Sequence, residues 1–133
     1  MGTIHGMATA CLAFGVAFAA SETLAQQSGI TRNDLQRNDL SVPGRQAVQV
    51  LVSIAPGVVA PNHHHPGEEI VYVMEGTLEY RLEGKPPAAP KAGDVLFIPY
   101  GINHEVANVG SGKAIELATY IVEKGKPLVV PAK

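Results

Sequence analysis

Between residues 46 and 55 the apolar side chains fall on every second position: Val48, Val50, Val52 and Ile54 alternate with Gln49, Leu51 and Ser53. A period of two belongs to a strand, and Pro56-Gly57 closes this one. Leu78, Tyr80 and Leu82 alternate in the same way with Thr77, Glu79, Arg81 and Glu83, which predicts a second strand with one wet and one buried face. The Gly84-Lys85-Pro86-Pro87 stretch and its continuation to Gly93 are predicted as loop. Val95-Leu96-Phe97-Ile98 is apolar on both faces, which predicts a strand lying between a barrel interior and a second layer. Ile115, Leu117, Thr119 and Ile121 mark a last strand. Short strands divided by Gly and Pro, with no helical period after residue 26, predict an all-β sandwich or barrel.

Two stretches stand outside this pattern. Met7 to Ala20 is an apolar run rich in small residues, too short for the roughly 20 residues of a membrane helix but suited to the apolar region of a secretory signal. Cleavage after Ala25 puts Thr23 and Ala25 at the small-residue positions, and cleavage after Ala19 also fits; no Lys or Arg precedes Arg32, so the usual positive flank is missing. The expected location is therefore periplasmic or secreted, and the lone cysteine, Cys11, would leave with the signal. A disulfide framework and a thiolate metal site are then excluded from the mature chain. Residues 26–45 are polar and read as an extended arm. They contain an echo, Arg32-Asn33-Asp34-Leu35 then Arg37-Asn38-Asp39-Leu40, whose five-residue offset matches neither helix nor strand and reads as chance.

Composition narrows the partners. Hydrophobic residues make up 46% and charged residues 17% of the 133, as for one globular domain. Lys and Arg number 10 against 12 Asp and Glu, so there is no basic field to attract nucleic acid or anionic lipid.

The chemistry concentrates in histidine. Apart from His5, the histidines are His63, His64, His65 and His104. On an extended strand His63 and His65 project to one side, about 7 Å apart at the backbone, while His64 points away. Pro66-Gly67 turns the chain and the next strand opens with Glu68-Glu69, which can bring a carboxylate beside the two imidazoles. Such a mixture suits Mn, Fe, Co, Ni, Cu or Zn rather than the all-oxygen sites of Ca or Mg.

The spacing of these residues extends downstream. Gly57, His63, His65, Glu69 and Gly76, followed by Gly93, Pro99, Gly101, His104 and Asn108, stand at the intervals of the first and second cupin motifs. The sequence resembles a single-domain cupin, with no motif position substituted. The resemblance covers residues 57–108 and, through the strand pattern, about 46–123, leaving 124–133 as a tail. It implies a double-stranded β-helix, or jelly roll, in which His63, His65, Glu69 and His104 converge on one divalent transition metal, iron or manganese before nickel, cobalt, copper or zinc. The motif glycines are expected to permit positive φ, Pro99 to end a strand, Asn108 to bond backbone in a turn, and Glu68 to face solvent. Tyr80, Tyr100 and Asn103 are the residues that could reach the pocket.

Three imidazoles and one carboxylate leave one or two positions open on a five- or six-coordinate ion. Cupins with this ligand set include dioxygenases, oxalate oxidases and decarboxylases, isomerases and non-catalytic binders, so the resemblance leaves the reaction open; the leading expectation is a metal-dependent oxidoreductase of the dioxygenase type, acting on a small oxygenated molecule, with Glu69 as a base if it loosens its coordination. The alternative is a non-enzymatic periplasmic module for a small ligand or for metal; a metal-independent sugar-nucleotide isomerase is disfavoured because all four ligands are intact. A small-molecule ligand is the expected partner, with a homodimer open to the chain and no membrane contact after signal removal. N-terminal sequencing of the native protein is expected to find a chain that begins near Gln26, and an intact Met1 on cytoplasmic protein would overturn the export expectation.

Overall fold

A computed structural model describes Gly2 and residues 27–133, so the expected signal segment lies outside the described residues. Among the described residues the fold is all-β, as expected. Nine strands form two antiparallel sheets: β1 (Ile30–Asp39), β2 (Arg45–Ile54), β3 (Val59–His64), β4 (Gly67–Glu75), β5 (Leu78–Leu82), β6 (Val95–Ile98), β7 (His104–Asn108), β8 (Ala114–Glu123) and β9 (Val130–Pro131). The larger sheet runs β1-β2-β8-β4-β6 and the smaller β5-β7-β3-β9. No described helix is long and apolar enough to cross a membrane.

The alternation read in β2 and β5 sets the inner faces. Val48, Val50, Val52 and Ile54 of β2, and Leu78, Tyr80 and Leu82 of β5, are buried in a single core between the sheets. β8 chooses the phase opposite to its more apolar one: Ala114, Glu116, Ala118, Tyr120 and Val122 face inward, while Ile115, Leu117, Thr119 and Ile121 are half-buried on the outer side. Both faces of this central strand are apolar enough to be buried, so register with β2 decides between them; Val50 lies opposite Ala118, and Val48 opposite Tyr120.

Three expectations change. β6 does not lie between two layers: it is the edge of the larger sheet, with Val95 64% and Phe97 54% exposed and only Ile98 fully buried. Ile70 and Tyr72 of β4, paired with Phe97 and Val95, share this bare outer face. The polar arm is a strand, β1, hydrogen-bonded along β2, and its ladder shifts register between Asp34 and Gln36. The segment read as a tail returns to the smaller sheet, where β9 pairs with β3 at His63 and His64.

The motif glycines Gly57, Gly76, Gly93 and Gly101 all have positive φ, from 69° to 93°, as expected. β6 ends at Ile98, before Pro99. Gly67 is different: its φ is ordinary, and its role is close approach rather than a turn. A Cβ there would lie 2.0 Å from the Ile121 carbonyl oxygen and 2.6 Å from the Val122 Cα. Both are backbone atoms of the paired strand, so nothing can move aside cheaply. Gly67→Ala is expected to cost about 3 kcal/mol, the upper range for overpacking, whereas Gly112→Ala, with open space around it, stays within about 1 kcal/mol. Urea denaturation of the two variants checks the contrast.

Candidate metal centre

Three strands bring the four expected ligands together. β3 pairs with β7 so that His63 lies directly opposite His104, and a register shift between Ala60 and His63 sets the end of β3. His65 follows at the end of β3, and Glu69 enters from β4, opposite Tyr120 of β8. All four side chains are buried, with exposures between 1% and 8%. The rings stand 4.4 to 5.1 Å apart centre to centre, and one nitrogen from each of His63, His65 and His104 lies within 4.8 Å of the others. Glu69 Oε2 is 3.0 Å from His65 Nε2 and 3.4 Å from His104 Nε2.

The hydrogen bonds behind the rings decide what these nitrogens can do. Nδ1 of His63 donates to the Pro61 carbonyl (2.7 Å), Nδ1 of His65 to the Leu128 carbonyl (2.6 Å), and Nδ1 of His104 to the Ile102 carbonyl (2.9 Å). A carbonyl only accepts, so each Nδ1 carries the ring's proton. In a neutral ring each Nε2 then presents a lone pair, and this is how metal-ligating histidines are commonly held. Burial, reinforced by His104, pushes the His63 pKa down to about 4, which keeps that ring neutral.

His65 Nε2 and Glu69 Oε2 are buried and find no hydrogen-bond partner of acceptable geometry, although they face each other at 3.0 Å. Two electron-rich atoms at that separation call for a cation between them. Burial raises the Glu69 pKa, and positive charge from His104 and His65 when protonated outweighs it and lowers the group to about 2; with neutral rings that part is left to a bound cation. The donor set and its orphaned atoms therefore fit a divalent transition ion.

His64 is not part of this set. It is half-buried, and its Nδ1 meets the Asn103 side-chain oxygen at 3.2 Å. Asn103 also donates to Glu83, and Tyr100 is exposed with its hydroxyl on Glu123, so neither reaches the pocket. Asn108 bonds backbone as expected, donating to the carbonyls of Ile54 and Gly112 and accepting from the Gly110 amide. Glu68 is half-buried on the outer side. Of the three pocket candidates only Tyr80 lines the chamber beside the ligands, a space of about 10 Å³, at the lower limit for one water molecule.

Two residues of that chamber were missed by sequence reasoning. Glu116, 3% exposed, accepts a 2.6 Å hydrogen bond from the Tyr80 hydroxyl, and Arg32 reaches the chamber from β1. No local signal marked Glu116: it is in phase with Ala114, Ala118, Tyr120 and Val122, while the opposite phase of β8 is the more apolar. Burial and the Glu69 charge push its pKa up to about 8, against the pull of the Tyr80 hydroxyl and Arg32.

The cupin-domain model matches residues 50–121. The chain belongs to the cupin family. It is 39% identical over 54 residues to dimethylsulfoniopropionate lyase DddQ of Ruegeria pomeroyi, covering 41% of this chain and 27% of that one. The curated relatives it matches are longer, and the chain spans 27% to 42% of their lengths. Among solved structures it is similar to an oxalate oxidase in complex with glycolate, at 26% identity and a TM-score of 0.64 over 80% of this chain and 57% of that one. It also shares its fold with Bacillus subtilis oxalate decarboxylase, a protein with Mn(II) centres, at 23% identity and a TM-score of 0.58 over 64% of this chain and 23% of that one.

A prediction follows from Glu116. A carboxyl whose folded pKa is raised to about 8 costs nothing below its unfolded value near 4.5, and the cost grows with pH until the folded value is passed. Glu116→Gln is therefore expected to raise the thermal midpoint of the metal-free protein by several degrees at pH 8 and by little at pH 4.5. Thermal melts of both proteins at the two pH values check it.

Proposed function

We propose that the protein is a metalloenzyme in which His63, His65, Glu69 and His104 hold one divalent transition ion, and that it acts as an oxidoreductase of the dioxygenase type on a small oxygenated molecule. The observation that carries this reading is the convergence of three imidazoles and one carboxylate, with Glu69 Oε2 facing Nε2 of His65 and of His104 and each Nδ1 hydrogen-bonded to a backbone carbonyl. Iron or manganese suits this mixture of imidazole and carboxylate with room for further ligands. When bound, such an ion supplies a Lewis-acid centre with positions for a chelating substrate and for dioxygen.

The chain's own residues favour a reaction centre over a structural staple. A structural site is closed by protein, whereas here a chamber adjoins the histidines and is lined by groups that the ligand set does not use. Tyr80 and Glu116 form a buried hydroxyl–carboxyl pair there, able to hold or accept a proton beside a bound molecule. Ile54, Val52 and Val106 supply an apolar wall that excludes bulk water.

His63→Ala, His65→Ala, Glu69→Ala and His104→Ala are each expected to lose most bound metal, while His64→Ala keeps it. Metal content of the purified variants checks the ligand set, and loss in His64→Ala equal to that of its neighbours would overturn it. Nitric oxide is expected to alter the electron paramagnetic resonance spectrum of iron-loaded protein, and a panel of phenolic and dicarboxylate substrates is expected to give oxygen uptake with at least one member. No response to nitric oxide, together with tightly held tetrahedral zinc in native protein, would move the reading to a non-enzymatic binding module.

A further inference from the structure

Beside the metal chamber lies a second cavity of about 520 Å³, between β1 and residues 125–129, with Val50 and Tyr120 on its wall. Arg32, Tyr120 and Val129 line both spaces, so the two adjoin. The inner chamber, at about 10 Å³, has room for no more than a water. An organic molecule that reaches the histidines must therefore keep its body in the outer cavity, and the outer walls decide which molecule fits.

Those walls carry a charge arrangement that depends on the β1 bulge. Before the bulge Arg32 lies opposite Val52 and Asp34 opposite Val50; after it Arg37 lies opposite Val48 and Asp39 opposite Gln46. Residues opposite one another in an antiparallel ladder point to the same side of the sheet, and Val48, Val50 and Val52 point into the core. On a regular strand a five-residue offset would put Arg32 and Arg37 on opposite faces. The extra residue, Leu35, restores the phase and turns both guanidiniums toward the cavity. The echo in the arm thus has a structural consequence that period alone did not reveal.

The two arginines are placed for an anion. Arg37 donates to Gln46 at 3.0 Å, and Arg32 has no ion pair among the described residues. Asp34 is the carboxylate that lines the cavity beside them, and Lys126 is already paired with Glu123. Charge on an edge strand discourages sheet-to-sheet addition, which accounts for a polar β1 but not for two exposed cations that share the cavity side of the strand. The remaining wall is apolar, with Tyr120, Pro127, Leu128 and Val129. β1 and residues 125–129 fall outside the segment matched by the family model.

We propose that the outer cavity is a binding site for an organic carboxylate: the Arg32 guanidinium takes the carboxylate, Arg37 adds a peripheral positive charge, and the ligand's apolar body lies on Tyr120, Leu128 and Val129. The ligand's orientation toward the histidines rests on the metalloenzyme reading, while the carboxylate site stands without the metal. Arg32 is a specificity-determining residue on this account, since a guanidinium holds a carboxylate through charge-assisted, two-pronged hydrogen bonds.

Benzoate and benzamide, alike in shape and different in charge, are suitable probes. Affinities are measured by ligand-observed nuclear magnetic resonance on metal-free protein and on zinc-loaded protein of confirmed metal content. Benzoate is expected to bind about tenfold more tightly than benzamide in both forms. Arg32→Gln is expected to abolish that preference without changing metal content, and Arg37→Gln to reduce it by less. Equal affinity for the two probes in the unmodified protein overturns the proposal, as does an undiminished preference in Arg32→Gln. A preference that appears only with zinc places the carboxylate on the metal and likewise overturns it. Failure to take up zinc, by contrast, counts against the metal reading alone, because the metal-free comparison still tests the carboxylate site.

Discussion

Each inward-facing histidine commits its Nδ1 proton to a main-chain carbonyl, and the rest of the site depends on that constraint. Three such bonds fix three tautomers at once and aim three Nε2 lone pairs at one point. Two acceptors, Pro61 and Ile102, lie only two residues before their histidines, so local chain geometry in the second half of β3 and at the start of β7 supplies them. The third, Leu128, comes from the far end of the chain. Burying three imidazoles and a carboxylate without partners would be costly. At the front His65 Nε2 and Glu69 Oε2 are left without partners while each Nδ1 at the back is satisfied, an arrangement that fits a cation.

Much of this was legible in the sequence because strand geometry is simple. A period of two separates His63 and His65 from His64, and the short path to Glu69 carries the chain into the neighbouring sheet. His104 was legible only through the spacing of the second motif, since nothing local shows that β7 will lie opposite β3. What escaped had physical causes. β8 is apolar on both faces, so hydrophobicity could not show that Glu116 rather than Ile115 or Leu117 turns inward. β6 is equally apolar, and its place at a sheet edge is a matter of topology that no local pattern encodes. The role of Arg32 was hidden by a bulge, which changes phase without any distinctive residue to announce it.

The site has two tiers with different origins along the chain. The inner tier, with the histidines, Glu69, Tyr80 and Glu116, comes from the segment shared with other cupins. The outer tier comes mainly from the flanking strand β1 and the segment after β8. The two tiers share Arg32, Tyr120 and Val129 at their boundary.

The carbonyl that orients His65 belongs to Leu128, 63 residues further on, in the segment after β8. A ribosome delivers residues in order, so a nascent chain with both first-motif histidines and Glu69 already exposed still lacks the group that aims one of them. The cluster becomes geometrically complete only after the segment that follows β8 has been made and has docked. The aim of His65 is therefore a property of the tertiary fold and not of the local sequence around the histidines.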